Sequence, residues 1–317
     1  MTLNSMGDNS PATQLSVCLA RQSPVAVIFR RGPSNRVQLI RWHRDQDRFF
    51  PGQWLKGRIY DQRCDLSPCG EHLIYFAANH RPPLYSWTAI SRPPFLTALC
   101  LWPKGDCWGG GGLLNGGEIV LNHRRREFRK DRGFTLPPSM KVLPCGEHSG
   151  WGEDRPISDF RLARDGWQLL DESMAHKNGD RAPLWIRYDP PQLWSKLHPH
   201  SERTSLAFCL TGIYRKQGRW RETVARVCRD EATILDLGMV SWADWDDNGD
   251  LLYAQEGSLY RSRYEAGAFA PALRLARFDD LSFTEMETPA QARTWDQPLD
   301  LAPLELPLRS SDWPAVP

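Results

Sequence analysis

The sequence predicts an all-β fold made of several small antiparallel sheets. Short runs rich in β-branched and aromatic residues recur along the chain, and no apolar stripe of helical period with a cap at each end lies among them. Twenty-five prolines and twenty-four glycines separate these runs, which favours many turns and few helices. Dipeptides typical of tight turns recur as well, so we expect the strands to be joined as hairpins.

The predicted strands extend from the first quarter of the chain to its last quarter. Their shortness and their apolar content are typical of strands that pack in a core. Turn residues bound each run, which favours strands over buried helices. The clearest runs are Val25–Arg30, Val37–Trp42, Leu73–Ala77, Thr97–Trp102, Glu118–Leu121, Leu184–Tyr188 and Leu251–Ala254.

A strand–turn–strand pattern recurs three times. Asn-Gly and Asp-Gly favour type I′ hairpin turns, because both central residues of that turn take a positive φ. We therefore expect tight hairpins at all three places. The three stretches are 64–77 with its turn at Cys69-Gly70, 160–170 with its turn at Asp165-Gly166, and 242–254 with its turn at Asn248-Gly249.

Two of these stretches carry a family resemblance. Leu66-Ser-Pro-Cys-Gly-Glu-His-Leu-Ile-Tyr-Phe76 resembles the Ser-Pro-Asp-Gly repeat of TolB-like, WD40-like β-propellers, with Cys69 where that repeat has aspartate. Trp242–Tyr264 is similar, and its Gly257-Ser-Leu-Tyr-Arg261 corresponds to the third strand of that repeat. The resemblance implies four-stranded blades in a ring, in which each blade buries the faces of its neighbours.

The spacing of the turn glycines predicts the number of blades. Those at positions 32, 70, 105, 166, 218 and 249 average about 43 residues apart, near the period of a propeller blade. We expect a single β-propeller of five or six four-stranded blades over residues 14–295, with a disordered tail at 1–13 and a proline-rich tail at 296–317. A β-sandwich, or two small β domains divided near 131–152, is the alternative.

Two segments interrupt the predicted repeat. Residues 123–152 form an irregular insertion with little strand character, and residues 190–204, with His198-Pro-His200, form a second. Long loops in compact domains are usually functional or disordered. We therefore expect partner contacts in the first insertion, although a solvated loop is the simpler alternative. The candidate contacts are the guanidiniums of Arg124, Arg125, Arg126 and Arg129 and the rings of His148 and Trp151.

Two patterns have the spacing of metal ligands. Asp244, Asp246 and Asn248 match the first half of a calcium loop, but a strand follows them, and a polar hairpin turn explains them equally. Cys-Gly-Glu-His occurs at 69–72 and 145–148, which is a zinc-ligand spacing. The turn explains the first copy, so Cys145 and His148 are the remaining candidates. We expect no cofactor, and folding that does not depend on zinc.

A run of four glycines follows Trp108. It lacks the Gly-Lys-Ser/Thr of a phosphate-binding loop and the helix that follows a dinucleotide fingerprint. Glycines beside a strand commonly allow a second backbone to approach closely. We expect that role for Gly109–Gly112.

Composition bears on the compartment and on the partner. The 317 residues carry a net charge of +2 and a mean hydropathy of −0.52, and no apolar stretch is long enough to span a membrane. The first residues lack the apolar core of a signal peptide, and the eight cysteines are too few for a disulfide scaffold. We therefore expect a cytoplasmic protein with no membrane partner.

The motifs present favour recognition over catalysis. The sequence has no serine nucleophile elbow, no His-Glu-x-x-His and no kinase motif set. The chain has fourteen tryptophans and a large excess of arginine, and both residue types are common at the centre of binding surfaces, although a GC-rich genome explains the arginines more simply. We expect a non-catalytic recognition or scaffold protein that binds a protein or peptide. A hydrolase or glycosidase-like enzyme with carboxylates in the funnel is the alternative, and nucleic-acid binding through the basic insertion is a third hypothesis.

Overall fold

Antiparallel strands dominate the structure. The computed structural model describes residues 13–32, 35–171, 175–177, 184–215 and 220–304, and within those ranges it contains a single α-helix. The prediction of a mainly β fold with several small antiparallel sheets is confirmed. No described helix combines the length and the apolar character needed to cross a membrane. Most of the two predicted tails, residues 1–12 and 305–317, lie outside the described residues.

Sheet A is a four-stranded antiparallel meander in chain order. Its second strand is buried on both faces over six residues, because other sheets pack on both sides of it. Two of the predicted strands lie here. Its strands are β1 (Gln14–Leu19), β2 (Val25–Arg31), β3 (Arg36–His43) and β4 (Arg48–Lys56).

Sheet B repeats the meander with a divided first strand. Two short strands pair end to end along one edge of a single longer strand, which is the central strand of the meander, and a 3₁₀ turn at Asp61–Arg63 separates them. All six residues of that central strand are buried. The strands are β5 (Arg58–Ile59), β6 (Asp65–Leu66), β7 (Leu73–Ala78), β8 (Ser86–Ser91) and β9 (Ala98–Pro103).

Sheet C contains part of the predicted irregular insertion. Its strands are β10 (Gly112–Asn115), β11 (Glu118–Leu121) and β12 (Lys141–Pro144). The last of them lies inside 123–152 and pairs in parallel with β11. The insertion therefore contributes an edge strand to the sheet, in addition to a 3₁₀ turn at Arg125–Glu127.

Sheet D follows the helix α1 (Ile157–Arg164). Its two longest strands form a hairpin whose turn holds Pro199 and His200. Residues 190–204 therefore lie in a long hairpin, where the sequence led us to expect an irregular insertion. The strands are β13 (Trp167–Asp171), β14 (Ala175–Lys177), β15 (Leu184–His198), β16 (Ser201–Arg215), β17 (Arg221–Arg229) and β18 (Ala232–Met239).

Sheet E is again a four-stranded antiparallel sheet. It contains the predicted strand at 251–254 and the predicted third strand after Gly257. A two-stranded hairpin separates its last two strands. The sheet comprises β19 (Trp242–Trp245), β20 (Leu251–Gln255), β21 (Ser258–Ser262) and β24 (Leu273–Arg277), and the hairpin comprises β22 (Tyr264–Glu265) and β23 (Ala268–Phe269).

The hairpin turns differ from the predicted type. Gly249 has a φ of +87° while Asn248 does not take a positive φ, so the type I′ prediction is wrong there. The backbone N–H of Gly249 donates to the carbonyl of Asp246 at 2.9 Å, as in a type I turn followed by a left-handed glycine. Glu256 and Gly257 do both take left-handed φ values, 48° and 71°, in the two-residue turn between β20 and β21.

The hairpin predicted at 160–170 is instead the end of a helix. Residues 157–164 form α1, Asp165 has a φ of −84°, and Gly166 follows with a φ of +88°. The backbone N–H of Gly166 donates to the carbonyl of Ala163 at 3.2 Å. A left-handed glycine terminates a helix as readily as it completes a hairpin, so Asp-Gly alone does not distinguish the two.

The five sheets pack face to face in the order C, B, A, E, D. Each interface buries apolar side chains from both sheets. The clusters include Ile74 with Leu114 between B and C, Val27 with Leu66 between A and B, Ile28 with Leu252 between A and E, and Val227 with Tyr253 between D and E.

The helix α1 lies between the two outermost sheets of this order. It contacts β10 of sheet C and β13 of sheet D. Ile157 at its start is buried in a small cluster with Leu113 and Cys145. The first strands of several sheets and this helix thereby surround a common interior space.

Residues after β24 run back over the earlier sheets. The side-chain amide of Gln53 donates to the Thr288 hydroxyl at 2.7 Å, and the N–H of Leu304 donates to the carbonyl of Phe49 at 2.6 Å. The segment therefore ties the end of the described chain to sheet A.

Candidate functional site

The interior space is a cavity of about 530 Å³. All of β1 and β19 lines it, together with one face of α1 and residues of β13, β15, β16 and β17. Its volume lies within the range of cavities that hold small ligands, roughly 300–1,000 Å³. We call it the central cavity.

Tryptophan rings form much of its wall. Trp245 stacks against Phe269 with ring centroids 5.7 Å apart, and its indole N–H donates to the carbonyl of Lys196 at 3.2 Å. The Lys196 ammonium lies 5.8 Å from the ring centre of Trp167. Packing and hydrogen bonds thus hold flat apolar surfaces in place around the space. The lining tryptophans are Trp167, Trp194, Trp220, Trp242 and Trp245.

Four of the aspartates that line the cavity pair with cationic side chains, among them Asp247 with Arg44 at 3.0 Å. The two oxygens of Asp65 accept from Arg164 at 2.7 and 2.9 Å, and Arg164 also pairs with Asp165 at 2.8 Å. Asp244 accepts from the Lys196 ammonium at 2.6 Å. Burial raises the pKa of Asp244 even though Lys196 opposes the shift. These carboxylates therefore serve as ion-pair partners of arginine and lysine side chains.

Arg161, on α1, reaches the sheet A and sheet B side of the cavity. Its Nη1 donates to the carbonyls of Asp61, at 3.0 Å, and Cys64, and lies 3.1 Å from Sγ of Cys18. Burial raises the pKa of Cys18 to about 11, so that thiol is uncharged at neutral pH. Among the described residues, no carboxylate forms an ion pair with this guanidinium.

Arg31, at the end of β2, also lines the cavity. It is half-buried, and within the described ranges its side chain makes no hydrogen bond or ion pair. Burial, together with the like charge of Arg58, lowers its pKa, and the nearby Asp61 does not offset them.

The candidate arginines of the insertion differ in their surroundings. Arg124 is half-buried and pairs with Asp106 at 3.1 Å and with Glu127 at 3.2 Å. Arg125, Arg126 and Arg129 are exposed, and none has an ion-pair partner in the described part of the chain. The structure therefore separates one structural arginine from three free ones.

Two exposed tryptophans lie on adjacent backbones beside these arginines. Trp151 is 61% exposed and Trp108 is 44% exposed. The N–H of Gly109 donates to the carbonyl of Gly152 at 2.6 Å, which brings the two segments together. A Cβ on Gly150 would lie 2.3 Å from the backbone nitrogen of Arg124, so the turn before Trp151 abuts the basic run. We call Trp108, Trp151, Arg125 and Arg126 the tryptophan–arginine surface.

Hydrogen bonds brace the backbone under this surface. The N–H of Gly150 donates to the side chain of Asn122 at 2.7 Å, and the Ser149 hydroxyl donates to the carbonyl of Leu121 at 2.9 Å. Cys145 is buried, whereas His148 is exposed. The second half of the insertion is therefore fixed against sheet C, although the sequence predicted little regular structure there.

The glycine run lies against sheet B and the insertion. A Cβ on Gly111 would be 2.2 Å from the carbonyl oxygen of Arg63, and a Cβ on Gly109 would be 2.8 Å from that of Gly150. Side chains at these positions would collide with backbone. The prediction that the glycines allow backbones to approach closely is confirmed.

The candidate metal ligands have other partners. Asp246 pairs with Arg44 and with Arg261, the latter at 2.6 Å, and Asn248 bonds within its own turn. Within the described ranges, no three histidine, cysteine, aspartate or glutamate side chains are grouped so as to hold a metal ion. The calcium assignment to Asp244, Asp246 and Asn248 and the zinc assignment to Cys145 and His148 stay predictions.

Sequence reasoning did not find the central cavity. Its charged residues come from β2, β6, α1, β15, β17 and β19 and from the turns beside them, so no local motif contains them. The excess of tryptophan was the available signal, because five of the fourteen line this space.

Comparison with known proteins identifies no family. No protein-family model matches this chain, and no curated protein matches it significantly.

Proposed function

We propose that the protein is a non-catalytic recognition protein of the cytoplasm, a five-bladed β-propeller whose tryptophan–arginine surface binds an acidic protein or peptide. Five consecutive sheets that pack face to face support the architecture. Placing α1 between the outermost two would complete the ring. The eight free cysteines agree with a reducing compartment.

The exposure of Trp108 and Trp151 on a braced backbone carries this proposal. Large apolar rings in contact with water have an unfavourable free energy, which burial under a partner relieves. Because hydrogen bonds already fix the backbone beneath them, little conformational entropy is lost on binding. Tryptophan and arginine are the residue types most enriched among those that dominate interface energies.

The unpaired guanidiniums of the insertion favour a partner with negative charge. Arg125, Arg126 and Arg129 have no carboxylate partner within the described ranges, so they are available for charge-assisted hydrogen bonds. An acidic segment with an apolar anchor complements both features. The engagement of Asp65 and Asp244 by cations supports binding over glycosidase-like catalysis, which needs carboxylates that are free to exchange protons.

The test is affinity capture from lysate of the source cells. The triple variant Arg125→Glu, Arg126→Glu, Arg129→Glu and the variant Trp151→Ala should each lose the protein that the wild type retains. Phe160→Ala, an exposed ring outside the surface, is the matched control and should retain it. Equal capture by all variants would reject the surface.

A second experiment tests the remaining hypothesis, that the surface binds nucleic acid. Basic residues interleaved with exposed rings also suit single-stranded nucleic acid. Anisotropy of a labelled single-stranded 20-mer is measured at two salt concentrations. Binding that weakens steeply with salt and disappears in the triple variant would replace the proposed protein partner with nucleic acid.

A further inference from the structure

The central cavity is lined by three arginines that form no ion pair among the described residues, Arg21, Arg31 and Arg161. Arg21 donates to the carbonyl of Leu114 at 3.2 Å and to the side-chain oxygen of Asn115 at 3.3 Å, which leaves Arg31 and Arg161 as the candidates for a ligand. Arg161 uses Nη1 for its hydrogen bonds, and its Nε and Nη2 have no partner among the described residues. Neither of those atoms is sealed from space that a water molecule can enter. Two donors of a charged group therefore face the cavity.

Arg31 lies in the same wall, and its guanidinium has no hydrogen bond in the described part of the chain. Its position is electrostatically unfavourable, because it is partly desolvated and Arg58 lies close by. Asp61 is the main opposing charge, and it lowers this cost without removing it. A desolvated cation is stable when an anion neutralises it. The position of Arg31 in the cavity wall therefore suits an anionic ligand.

The rest of the wall indicates what the anion is attached to. Five tryptophans contribute broad apolar faces, and such faces pack against planar groups. A bare inorganic ion would leave these rings facing water. The combination of donors and rings fits a ligand with a charged end and a flat body.

We propose that the central cavity binds a small planar organic anion, whose oxygens accept from Arg31 and Arg161 and whose ring system packs against the tryptophans. This site is distinct from the tryptophan–arginine surface and does not depend on the function proposed for it. The oxyanion belongs to a carboxylate or to a phosphate ester, and both kinds of group accept the paired donors of a guanidinium.

The test uses the full chain and the quenching of its tryptophan fluorescence. The probes are 2-naphthoate, 2-naphthyl phosphate, neutral 2-naphthamide and inorganic phosphate. At least one naphthyl anion should bind saturably with one-to-one stoichiometry, and at least tenfold more tightly than the amide. Whichever anion binds more tightly identifies the class of oxyanion. Absence of saturable binding by both anions, or equal binding of the amide, would overturn the proposal.

Two arginine variants test whether Arg31 and Arg161 donate hydrogen bonds to the bound anion. Arg31→Gln should weaken binding of the preferred anion at least tenfold while leaving the melting temperature unchanged or higher, because this side chain has no partner to lose in the described ranges. Arg161→Gln should weaken binding similarly, with some loss of stability from its carbonyl contacts. Arg203→Gln, on the surface, should bind as the wild type does. Undiminished binding in Arg31→Gln would overturn the assignment.

Discussion

Arg261 of sheet E donates to the carboxylate of Asp246 at 2.6 Å, and the same carboxylate pairs with Arg44 in the turn between β3 and β4 of sheet A. The Arg261 guanidinium also reaches Asp250 at 2.9 Å and Asp47 at 3.0 Å. All of these side chains except that of Asp47 are at least nine-tenths buried. The network joins the two sheets at one end of their interface.

Replacing Arg261 with leucine should therefore destabilise the protein strongly. The change leaves Asp246 and Asp250 buried with less compensation, and breaking a buried pair from one side costs about 3–5 kcal/mol. Urea unfolding followed by tryptophan fluorescence measures the loss. Arg203→Leu breaks an exposed pair with Asp230 and should unfold close to the wild type. A small effect of Arg261→Leu would mean that water reaches these carboxylates.

The same residues illustrate what a single sequence can predict. Asp244-x-Asp246-x-Asn248-Gly249 predicted a polar hairpin turn, and a turn is present. The partners of Asp246 were not predictable, because Arg44 lies 202 residues away and only the packing of sheet A on sheet E brings them together. Turns depend on neighbouring residues, whereas ion pairs and cavities depend on the tertiary structure.

The dipeptide Asp165-Gly166 shows the limit of local reasoning. Its glycine takes the left-handed φ that the sequence predicted, yet the preceding residues form α1. Ile157 at the start of that helix is fully buried against Leu113 and Cys145. Tertiary packing between sheets C and D thus decides between helix and strand where the turn residues permit both.

His123 should make stability depend on pH. Burial lowers its pKa to about 4, and the neutral ring bonds the Thr88 hydroxyl at 2.8 Å and the carbonyl of Glu127 at 3.2 Å. The folded pKa lies below the unfolded value near 6.5, so the unfolded chain binds the proton more tightly. This stabilisation is complete above pH 6.5 and is lost as the pH falls toward 4.

Urea unfolding at pH 7.5 and pH 5.0 measures this contribution. From His123 alone, the wild type should lose about 2 kcal/mol between the two values. His123→Asn should be less stable at pH 7.5 but should lose less on acidification. Parallel losses in the two proteins would show that His123 does not titrate in this window.

A comparison of Gly111 with Gly105 tests why the glycine run needs glycine. Both take a left-handed φ, +80° and +81°, but only Gly111 has backbone within reach of a new Cβ. Gly105→Ala should cost about 1 kcal/mol from backbone strain alone. Gly111→Ala should cost about 1–3 kcal/mol more, because its Cβ collides with the carbonyl of Arg63. Equal losses would mean that sheets B and C separate easily.

Arg124 should behave differently from its neighbours when its charge is reversed. Its guanidinium pairs with Asp106 and Glu127, and the buried Lys104 ammonium contacts the same two carboxylates at 2.6 and 3.1 Å. Arg124→Glu would place a third acid beside these two carboxylates. We expect a loss of about 1–2 kcal/mol, moderated because Arg124 and Asp106 are partly exposed.

Arg125→Glu and Arg126→Glu should each change stability by less than about 0.5 kcal/mol, because both side chains are exposed and have no ion-pair partner in the described part of the chain. Thermal unfolding of the three single variants at low and at moderate salt measures the difference. Added salt should reduce the difference in stability between Arg124→Glu and the other two variants, since salt screens the repulsion around Asp106 and Glu127. If Arg124→Glu is as stable as the other two, the Asp106–Arg124–Glu127 pairs do not support the insertion, and the bracing comes from the hydrogen bonds of Asn122 and Ser149 alone.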